Sequence, residues 1–416
     1  MSQWIGLLDC NNFFVSCERL FRPDLCNRPV AVLSSNDGCI VARSQEVKDR
    51  GIPMGVPYFK VKDTLIKSKT VLFSSHFALY RDISRRVFET MADELDTIEQ
   101  YSIDEAFFVL PESDNPLQVA KSLKDKIERA VGIPVSIGIS RSKTLAKVAS
   151  AIAKKTGGIK VMDLSEWQEK KSHVPLHSIW GIGRKSADKY RKYNLETAAD
   201  LTALQHTQIK QLFGAAGVRI WSELQGAEGY SIERKRSPQG SILSSRSFRS
   251  QSSDLHDLQD AVAYHIRHAA ADLRSMNMKA SYLKVYLAPS RYGDFMLRNG
   301  AAEMVLTSPT NDTFALVQAA NKLTEHIFEI GIPYKKAGVL LSQFSPESFE
   351  QLPLFGNVSG NATAALTKLL DVINKKTDRE LLMVGSHLKT KNWQSKHESR
   401  SPAYTTNWAD IATVRS

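Results

Sequence analysis

"YSIDEAFFVL", residues 101–110, places two adjacent carboxylates, Asp104 and Glu105, at the start of an apolar run. Consecutive side chains of a strand point to opposite faces, so both acids can serve one site only if the backbone turns or bulges there. The preceding "TIEQ" suggests a hairpin, whose corner permits such a turn. Two neighbouring carboxylates repel each other unless a cation neutralises them. The stretch therefore predicts a metal site at a hairpin corner of a buried sheet.

A third carboxylate is expected from Asp9, which ends the apolar strand "WIGLLD". Neighbouring strand ends in one sheet would bring Asp9 against Asp104. A set of oxygen ligands selects Mg²⁺, which leaves positions for substrate phosphates, and this is the composition of a two-metal phosphoryl-transfer site. On this motif alone, two solvated acids at a turn are the more common explanation.

Basic residues close to these strands strengthen the first interpretation. "RSKTLAKVASAIAKK" places Lys143, Lys147 and Lys154 on one face of a predicted helix, and "GCIVARSQEVK" offers Arg43 and Lys48 just past a strand. A solvated basic face is the usual meaning of such a pattern. A triphosphate-binding face is the more specific one.

"IWGIGRKSADKYRKY", residues 179–193, has Gly181 and Gly183 immediately before a basic helix that opens with Arg184 and Lys185. Glycine allows close approach of the backbone to a phosphate, and the free N–H groups at a helix start can bind it without reading sequence. The segment resembles a helix-hairpin-helix DNA clamp, although a GxG turn alone is weak evidence.

Composition agrees with a polyanionic partner. The 416 residues carry a net charge of +11, from 55 basic and 44 acidic side chains, with the excess in 1–70, 166–240 and 351–416. The four cysteines all lie within the first 39 residues and form no CxxC pair, which predicts reduced, mostly buried thiols. The absence of a signal sequence and of any 18-residue apolar run predicts a cytoplasmic protein without a membrane partner.

Hydrophobic periodicity predicts a multidomain α+β chain. The first 165 residues alternate strands and helices around a sheet, including an amphipathic helix over 79–95, and residues 166–232 read as a helical domain. After a polar linker, 233–241, four strands and two helices suggest a βαββαβ unit over 242–350.

In this order and spacing, "LLDCNNFFVSCE", "GCIVARSQEVKDRGIPMG", "YSIDEAFFVL", "SRSKTLAKVASAIAKK" and "WGIGRK" resemble the Y-family DNA polymerases, and "SSNDGCIVARS" and "PAYTTNWAD" resemble their UmuC-like branch. The resemblance implies an error-prone, template-directed DNA polymerase for translesion synthesis in SOS mutagenesis. It implies a right-hand fold with ferredoxin-like palm, small fingers, helical thumb with helix-hairpin-helix, and βαββαβ little finger. The implied boundaries are palm 1–19 and 71–165, fingers 20–70, thumb 166–232, little finger 242–350 and a tail 351–416.

The resemblance also implies roles for individual residues. Asp9, Asp104, Glu105 and the main-chain carbonyl of Cys10 would ligate two Mg²⁺ ions. The remaining implied contacts are to the incoming dNTP (Phe13, Phe14, Arg43, Lys48, Lys154) and to primer-template DNA (Gly181, Gly183, Arg184, Lys185, Arg246). Phe14 matches the steric gate that excludes a ribose 2′-hydroxyl.

Three positions depart from the family pattern. Phe14 stands where UmuC-like chains usually have Tyr, Lys48 where many relatives have Arg, and Gln45 where many have Tyr. A lysine keeps the positive charge of arginine but loses its bidentate fork.

"QLPLF" resembles the sliding-clamp peptide of bacteria, with Gln351, Leu352, Leu354 and Phe355 as contacts. Further implied partners are a processed UmuD-like dimer and RecA, with 356–416 as the docking region. Two other functions remain open at this point, an inactive DNA- and clamp-binding scaffold and a helix-hairpin-helix repair glycosylase or lyase.

Overall fold

The computed structural model describes residues 3–35, 38–111, 114–227, 229–233, 238–290, 294, 299–348, 366–367, 369–374, 382 and 398–411. The chain forms two compact units, Met1–Arg236 with His397–Ser416, and Ser237–Lys396. Within the described ranges, no helix is both long and apolar enough for a membrane span.

The first unit contains eight strands and ten helices in the part of it that is described. The strands are β1 (Gln3–Cys10), β2 (Val30–Leu33), β3 (Ile40–Arg43), β4 (Val71–Ser74), β5 (Ile98–Gln100), β6 (Glu105–Pro111), β7 (Val135–Ser140) and β8 (Ile159–Val161). The helices are α1 (Phe13–Phe21), α2 (Gln45–Lys48), α3 (Tyr58–Lys67), α4 (Phe77–Ala92), α5 (Pro116–Ala130), α6 (Lys143–Ala153), α7 (Leu164–Lys170), α8 (Arg184–Arg191), α9 (Ala198–Ala203) and α10 (His206–Leu224).

Five strands form one sheet in the order β5-β6-β1-β7-β8. β1 lies at its centre and pairs antiparallel with β6 and β7, which explains its unbroken apolar sequence. β5 and β6 form the predicted hairpin. This sheet therefore carries Asp9 and Glu105 on adjacent strands, with Asp104 in the bend just before β6.

Helices predicted from periodicity appear where expected. α4 matches the pattern over 79–95, and its residues Leu79, Ile83, Val87 and Met91 are all buried. α6 begins after Ser142, whose hydroxyl accepts the N–H of Leu145.

A smaller sheet has the order β3-β2-β4. β4 pairs parallel to β2, so residues 71–74 lie with 30–43 rather than in the five-stranded sheet. All four cysteines are free thiols, as predicted, but only Cys10 and Cys17 are buried, whereas Cys26 is exposed and Cys39 is half-buried.

Helices α7 to α10 pack on α6 around the buried ring of Trp167. The carboxylate of Glu223, on α10, is buried and accepts three main-chain N–H groups, from Thr144 at 2.7 Å and from Gly229 and Tyr230 at 2.9 Å each. The first turn of α6 and the segment after α10 are thus held by one side chain.

Replacing Glu223 by alanine leaves three main-chain N–H groups, one buried and two half-buried, without that acceptor, so we expect the free energy of unfolding to fall by about 3 kcal/mol. Glu223→Gln should cost less, because its carbonyl oxygen can retain two of the bonds. Urea unfolding followed by tryptophan fluorescence measures both variants. An equal loss in Glu196→Ala, which removes an exposed acid nearby, would contradict this role.

The second unit is built around one four-stranded antiparallel sheet of order β11-β10-β12-β9. Its elements are β9 (Ser241–Ser252), α11 (Leu255–Ser275), β10 (Met278–Pro289), β11 (Gly300–Thr310), α12 (Thr313–Ile327) and β12 (Tyr334–Pro346). Both helices bury an apolar face in a core shared with this sheet. The element order is strand, helix, strand, strand, helix, strand.

Candidate active site

Asp9 and Glu105 face each other across the pair of strands β1 and β6. Asp9 was expected to lie against Asp104, and the register is shifted by one residue because β6 begins only at Glu105. Asp104 lies in the preceding bend, where its main-chain carbonyl accepts the N–H of Cys10 at 2.9 Å. The Glu105 carboxylate is close enough to Asp9 that its negative charge raises the pKa of the Asp9 carboxyl.

Ser102 shapes the bend. Its hydroxyl donates to the Asp104 carboxylate at 2.6 Å and accepts the N–H groups of Asp104 at 3.2 Å and Glu105 at 3.0 Å. The N–H groups of Tyr101 and Ser102 bond to the carbonyl of Glu105, which closes the hairpin. Ser102 was not among the residues predicted from the sequence. A serine two residues before an acid at a strand start is a known turn signal.

Two lysines of the predicted basic face contact these acids. Lys154 Nζ lies 2.6 Å from Asp9 Oδ2, and Lys147 Nζ lies 3.0 Å from Glu105 Oε2. Lys147 also sits 4.5 Å from the centre of the Tyr101 ring, a cation–π contact. The positive charges that could meet phosphates are therefore beside the predicted metal ligands.

Lys143, the third lysine of that face, is buried instead. Its ammonium donates to Glu99 on β5 at 2.6 Å and to the main-chain carbonyl of Ser231 at 2.7 Å, and its side chain is only 4% exposed. The periodicity correctly placed Lys143 on α6. Its ammonium, however, forms a structural ion pair with Glu99 on β5. The predicted basic face is thus reduced to Lys147 and Lys154.

Burial raises the pKa of the Asp9 carboxyl to about 7, and the Glu105 carboxylate acts in the same direction. The Lys154 ammonium acts in the opposite direction without outweighing burial. Asp9 therefore carries a proton for part of the time near neutral pH.

Arg43, at the end of β3, and Lys48, at the end of α2, approach the same region. Burial lowers the pKa of Lys48, and the positive charges of Arg43 and Lys154 lower it further. The Nε and Nη1 groups of Arg43 are buried and find no acceptor among the described residues. Three mutually repelling cations, one of them with unused donors, are suited to a polyanion. Gln45, by contrast, donates to Asp49 at 2.7 Å.

Phe13 and Phe14 open α1. The Phe13 ring is buried in the core, so only its main chain could contact a nucleotide. The Phe14 ring is half-buried and stacks on Tyr80, with 4.4 Å between ring centres and 13° between planes.

The oxygen-rich donor set suits a hard divalent cation, since the buried thiol of Cys10 has a raised pKa and is a poor ligand. In the described part of the chain, however, no three His, Cys, Asp or Glu side chains already form a metal-binding group. Asp9 and Glu105 are brought together, while the Asp104 carboxylate is held by Ser102.

The remaining predicted residues lie elsewhere. Gly181 has a φ of +88°, which favours glycine, and Gly183 precedes the exposed Arg184 and Lys185 of α8. Arg246, in the second unit, lies on β9 with its guanidinium 5.8 Å from the Tyr264 ring. Gln351, Leu352, Leu354 and Phe355 lie outside the described residues.

Comparison with known proteins adds independent findings. Residues 8–151 match the impB/mucB/samB family and 239–354 match the C-terminal domain of that family, while 364–414 match a domain of unknown function. The protein UmuC of Salmonella typhimurium is 35% identical, over 99% of this chain and 100% of its own length. The protein SamB of Salmonella typhimurium is 34% identical, over 99% of each chain.

Proteins of lower sequence identity that are similar to this chain include DNA polymerases. DNA polymerase IV 1 of Bacillus subtilis is 25% identical, over 96% of each chain. Among solved structures, a Y-family DNA polymerase chimera, Dbh-Dpo4(243-245)-Dbh, superposes with a TM-score of 0.69 over 82% of this chain and 99% of its own, at 18% identity. That likeness establishes the fold.

Proposed function

Because the chain belongs to the impB/mucB/samB family and is an error-prone, DNA-directed DNA polymerase of translesion synthesis and SOS mutagenesis, we propose that Asp9, Asp104 and Glu105 are the acidic residues of its nucleotidyl-transfer site. The observation that carries this proposal is the facing pair of Asp9 and Glu105 on β1 and β6 with a lysine on each. The substrates are a DNA template with its primer and deoxynucleoside triphosphates.

DNA polymerases use divalent metal ions, and we propose two Mg²⁺ ions here. Asp9, Glu105 and the Cys10 carbonyl can supply oxygen ligands at the sheet edge, and Asp104 can join them if its carboxylate leaves Ser102. When bound, the ions would activate the primer 3′-hydroxyl and stabilise the pyrophosphate leaving group. The residues fit this role because clustered carboxylates need a cation to remain ionised together.

Lys154 and Lys147 neutralise the acids when no nucleotide is bound. We propose that Lys154 transfers to the triphosphate, joining Arg43 and Lys48, whose charges already repel one another. An arriving triphosphate relieves that repulsion and supplies the acceptors missing from Arg43. The three cations thus orient the α-phosphate towards the acids.

Phe14 is proposed to exclude ribonucleotides. Phe14 lies at the start of α1, shortly after Asp9 on β1, and its ring stacks on Tyr80. Exclusion by a ring is steric, so phenylalanine can replace the tyrosine that is common at this position.

The same family membership supports a proposal for DNA contacts outside the site. We propose that α8, with Gly181, Gly183, Arg184 and Lys185, belongs to a helix-hairpin-helix of the thumb, and that 242–350 is the little finger with Arg246 on a phosphate. The second unit clusters positive charge: burial lowers the pKa of His265 to about 3, and Arg246 is the cation that contributes most to this shift.

The proposed domains remain the palm at 1–19 and 71–165, fingers at 20–70 and thumb at 166–232. The UmuC relatives suggest a UmuD-like partner. A sliding clamp bound by Gln351, Leu352, Leu354 and Phe355, and RecA bound by the tail, complete the proposed partners.

The raised pKa of Asp9 yields a test of the metal site. Below pH 7 a cation must displace the proton of Asp9, so we expect Mg²⁺ binding at pH 6.5 to release close to one proton and at pH 8.5 almost none. The apparent Mg²⁺ affinity should fall by up to about tenfold per pH unit below pH 7. Isothermal titration in two buffers of different ionisation enthalpy measures the released protons.

Asp9→Asn provides the control, since the amide has no proton to lose in this range. Proton release that is the same at both pH values, or that persists in Asp9→Asn, would show that Asp9 is not the titrating ligand.

A further inference from the structure

The carboxy-terminal residues 398–411 pack onto the first unit, far along the chain from the helices they contact. The N–H of Ser74 donates to the carbonyl of Ser399 at 3.0 Å, and the Tyr404 ring stacks on Phe21 with 4.6 Å between ring centres. Ser401 is buried. These residues lie in the part of the chain that matches a domain of unknown function.

Ser401 reaches a buried acid. Its hydroxyl donates to Glu18 Oε1 at 3.2 Å and lies 3.1 Å from His76 Nδ1. Glu18, on α1, is fully buried and accepts a second, shorter bond from the Tyr80 hydroxyl at 2.6 Å. One carboxylate oxygen therefore joins the C-terminal segment to α4.

Tyr80 links Glu18 to Phe14, the residue proposed to contact the incoming nucleotide. Its hydroxyl donates to Glu18 while its ring stacks on Phe14, which lies about one helical turn before Glu18 on α1. Phe77 closes the other side of Phe14 edge-on, with 5.7 Å between ring centres. The Phe14 ring is thus positioned by a ring whose own hydroxyl is held by Glu18 and, through it, by Ser401.

We propose that Ser401 is a positioning residue for Phe14, so that the C-terminal segment sets how strictly the polymerase excludes ribonucleotides. The inference rests on the proposed function, in which Phe14 contacts the sugar of the incoming nucleotide. When the Ser401 hydroxyl is lost, Glu18 Oε1 keeps its bond from the Tyr80 hydroxyl, and the two side chains can shift together. A shift of the Tyr80 ring moves the surface on which Phe14 is stacked.

The test measures the ratio of kcat/KM for a dNTP to kcat/KM for the matching rNTP, on one primer-template with the full chain. We expect Ser401→Ala to lower this ratio about fivefold, the effect of one lost hydrogen bond, while dNTP incorporation stays within about twofold. Trp408→Ala is the matched control, because Trp408 lies in the same segment and is 90% exposed. It should leave the ratio unchanged.

Combining the change with Phe14→Ala separates positioning from general damage. If Ser401 acts through Phe14, Ser401→Ala lowers the ratio in the wild-type background and has no further effect in Phe14→Ala. An unchanged ratio in Ser401→Ala, or an equal fall in both backgrounds, overturns the inference while the gate assignment stands. An unchanged ratio in Phe14→Ala overturns the gate assignment itself.

A variant that leaves the ring in place guards against misfolding. Tyr80→Phe keeps the stack on Phe14 and removes only the bond to Glu18, so it should lower the ratio as Ser401→Ala does. Thermal unfolding of each variant establishes that the comparison is between folded proteins. Wild-type ratios in a folded Tyr80→Phe would overturn the inference.

Discussion

Glu105→Gln is expected to reduce primer extension by about a thousandfold or more, because it removes one of two facing charges that would hold the metal ions and so weakens electrostatic stabilisation of the transition state. The amide is nearly the same size as the carboxylate, so the fold should be preserved. Gel-based extension of a labelled primer, on an undamaged and on an abasic template, measures the loss on both.

The matched control is Glu89→Gln, the same acid-to-amide change on α4, where Glu89 pairs with Arg85 and is 60% exposed. It should extend primers at the wild-type rate. Primer-template binding by fluorescence anisotropy should be similar in all three proteins, which isolates the chemical step.

The same assay separates the functions that the sequence left open. Extension by the wild type and its loss in Glu105→Gln are the expected results. DNA binding without extension by the wild type would favour a scaffold, and strand incision without extension would favour a glycosylase or lyase. Extension by Glu105→Gln at the wild-type rate would remove Glu105 from the proposed ligands.

Local patterns predicted much of this fold because local physics determines it. Four of the buried residues of α4 recur at spacing four, and in the hairpin of β5 and β6 a polar corner precedes the apolar strand β6. The acidic site could be placed at that corner for the same reason. Each of these features depends on residues that are neighbours in the chain.

The details that the sequence did not reveal depend on contacts between distant segments. The register that sets Glu105, and not Asp104, opposite Asp9 depends on where β6 begins, and Ser102 decides that within a single residue. Lys143 follows the same helical spacing as Lys147 and Lys154, but its ammonium is buried in an ion pair with Glu99 on β5.

The packing of the C-terminal segment against α1 is the clearest example of a contact that the sequence could not predict. Ser401 and Glu18 are separated by 383 residues, and a polar tail carries no periodic pattern that would predict their contact. Glu18 itself gave a weak signal, since it is an acid within the apolar stretch "FFVSCERLF" that forms α1. A buried carboxylate must find donors, and here they come from α4 and from the chain end.

Phe14→Ala is expected to lower discrimination against ribonucleotides by on the order of a hundredfold, mainly through a lower KM for the rNTP. Removing the ring opens the volume beside the sugar that a 2′-hydroxyl needs. Incorporation of dNTPs should fall much less, because the acids and the lysines that carry the chemistry are untouched.

Phe14→Tyr is the matched control for that variant, because it keeps the ring and its stack on Tyr80 while adding a hydroxyl. Its discrimination should remain near that of the wild type, as expected if exclusion is a matter of ring volume and not of hydrogen bonding. Single-nucleotide incorporation with matched dNTP and rNTP measures all three proteins. If Phe14→Ala selects sugars as strictly as the wild type, another side chain must occupy the space beside the 2′ carbon, and the half-buried Phe14 would then serve only to pack α1 against α4.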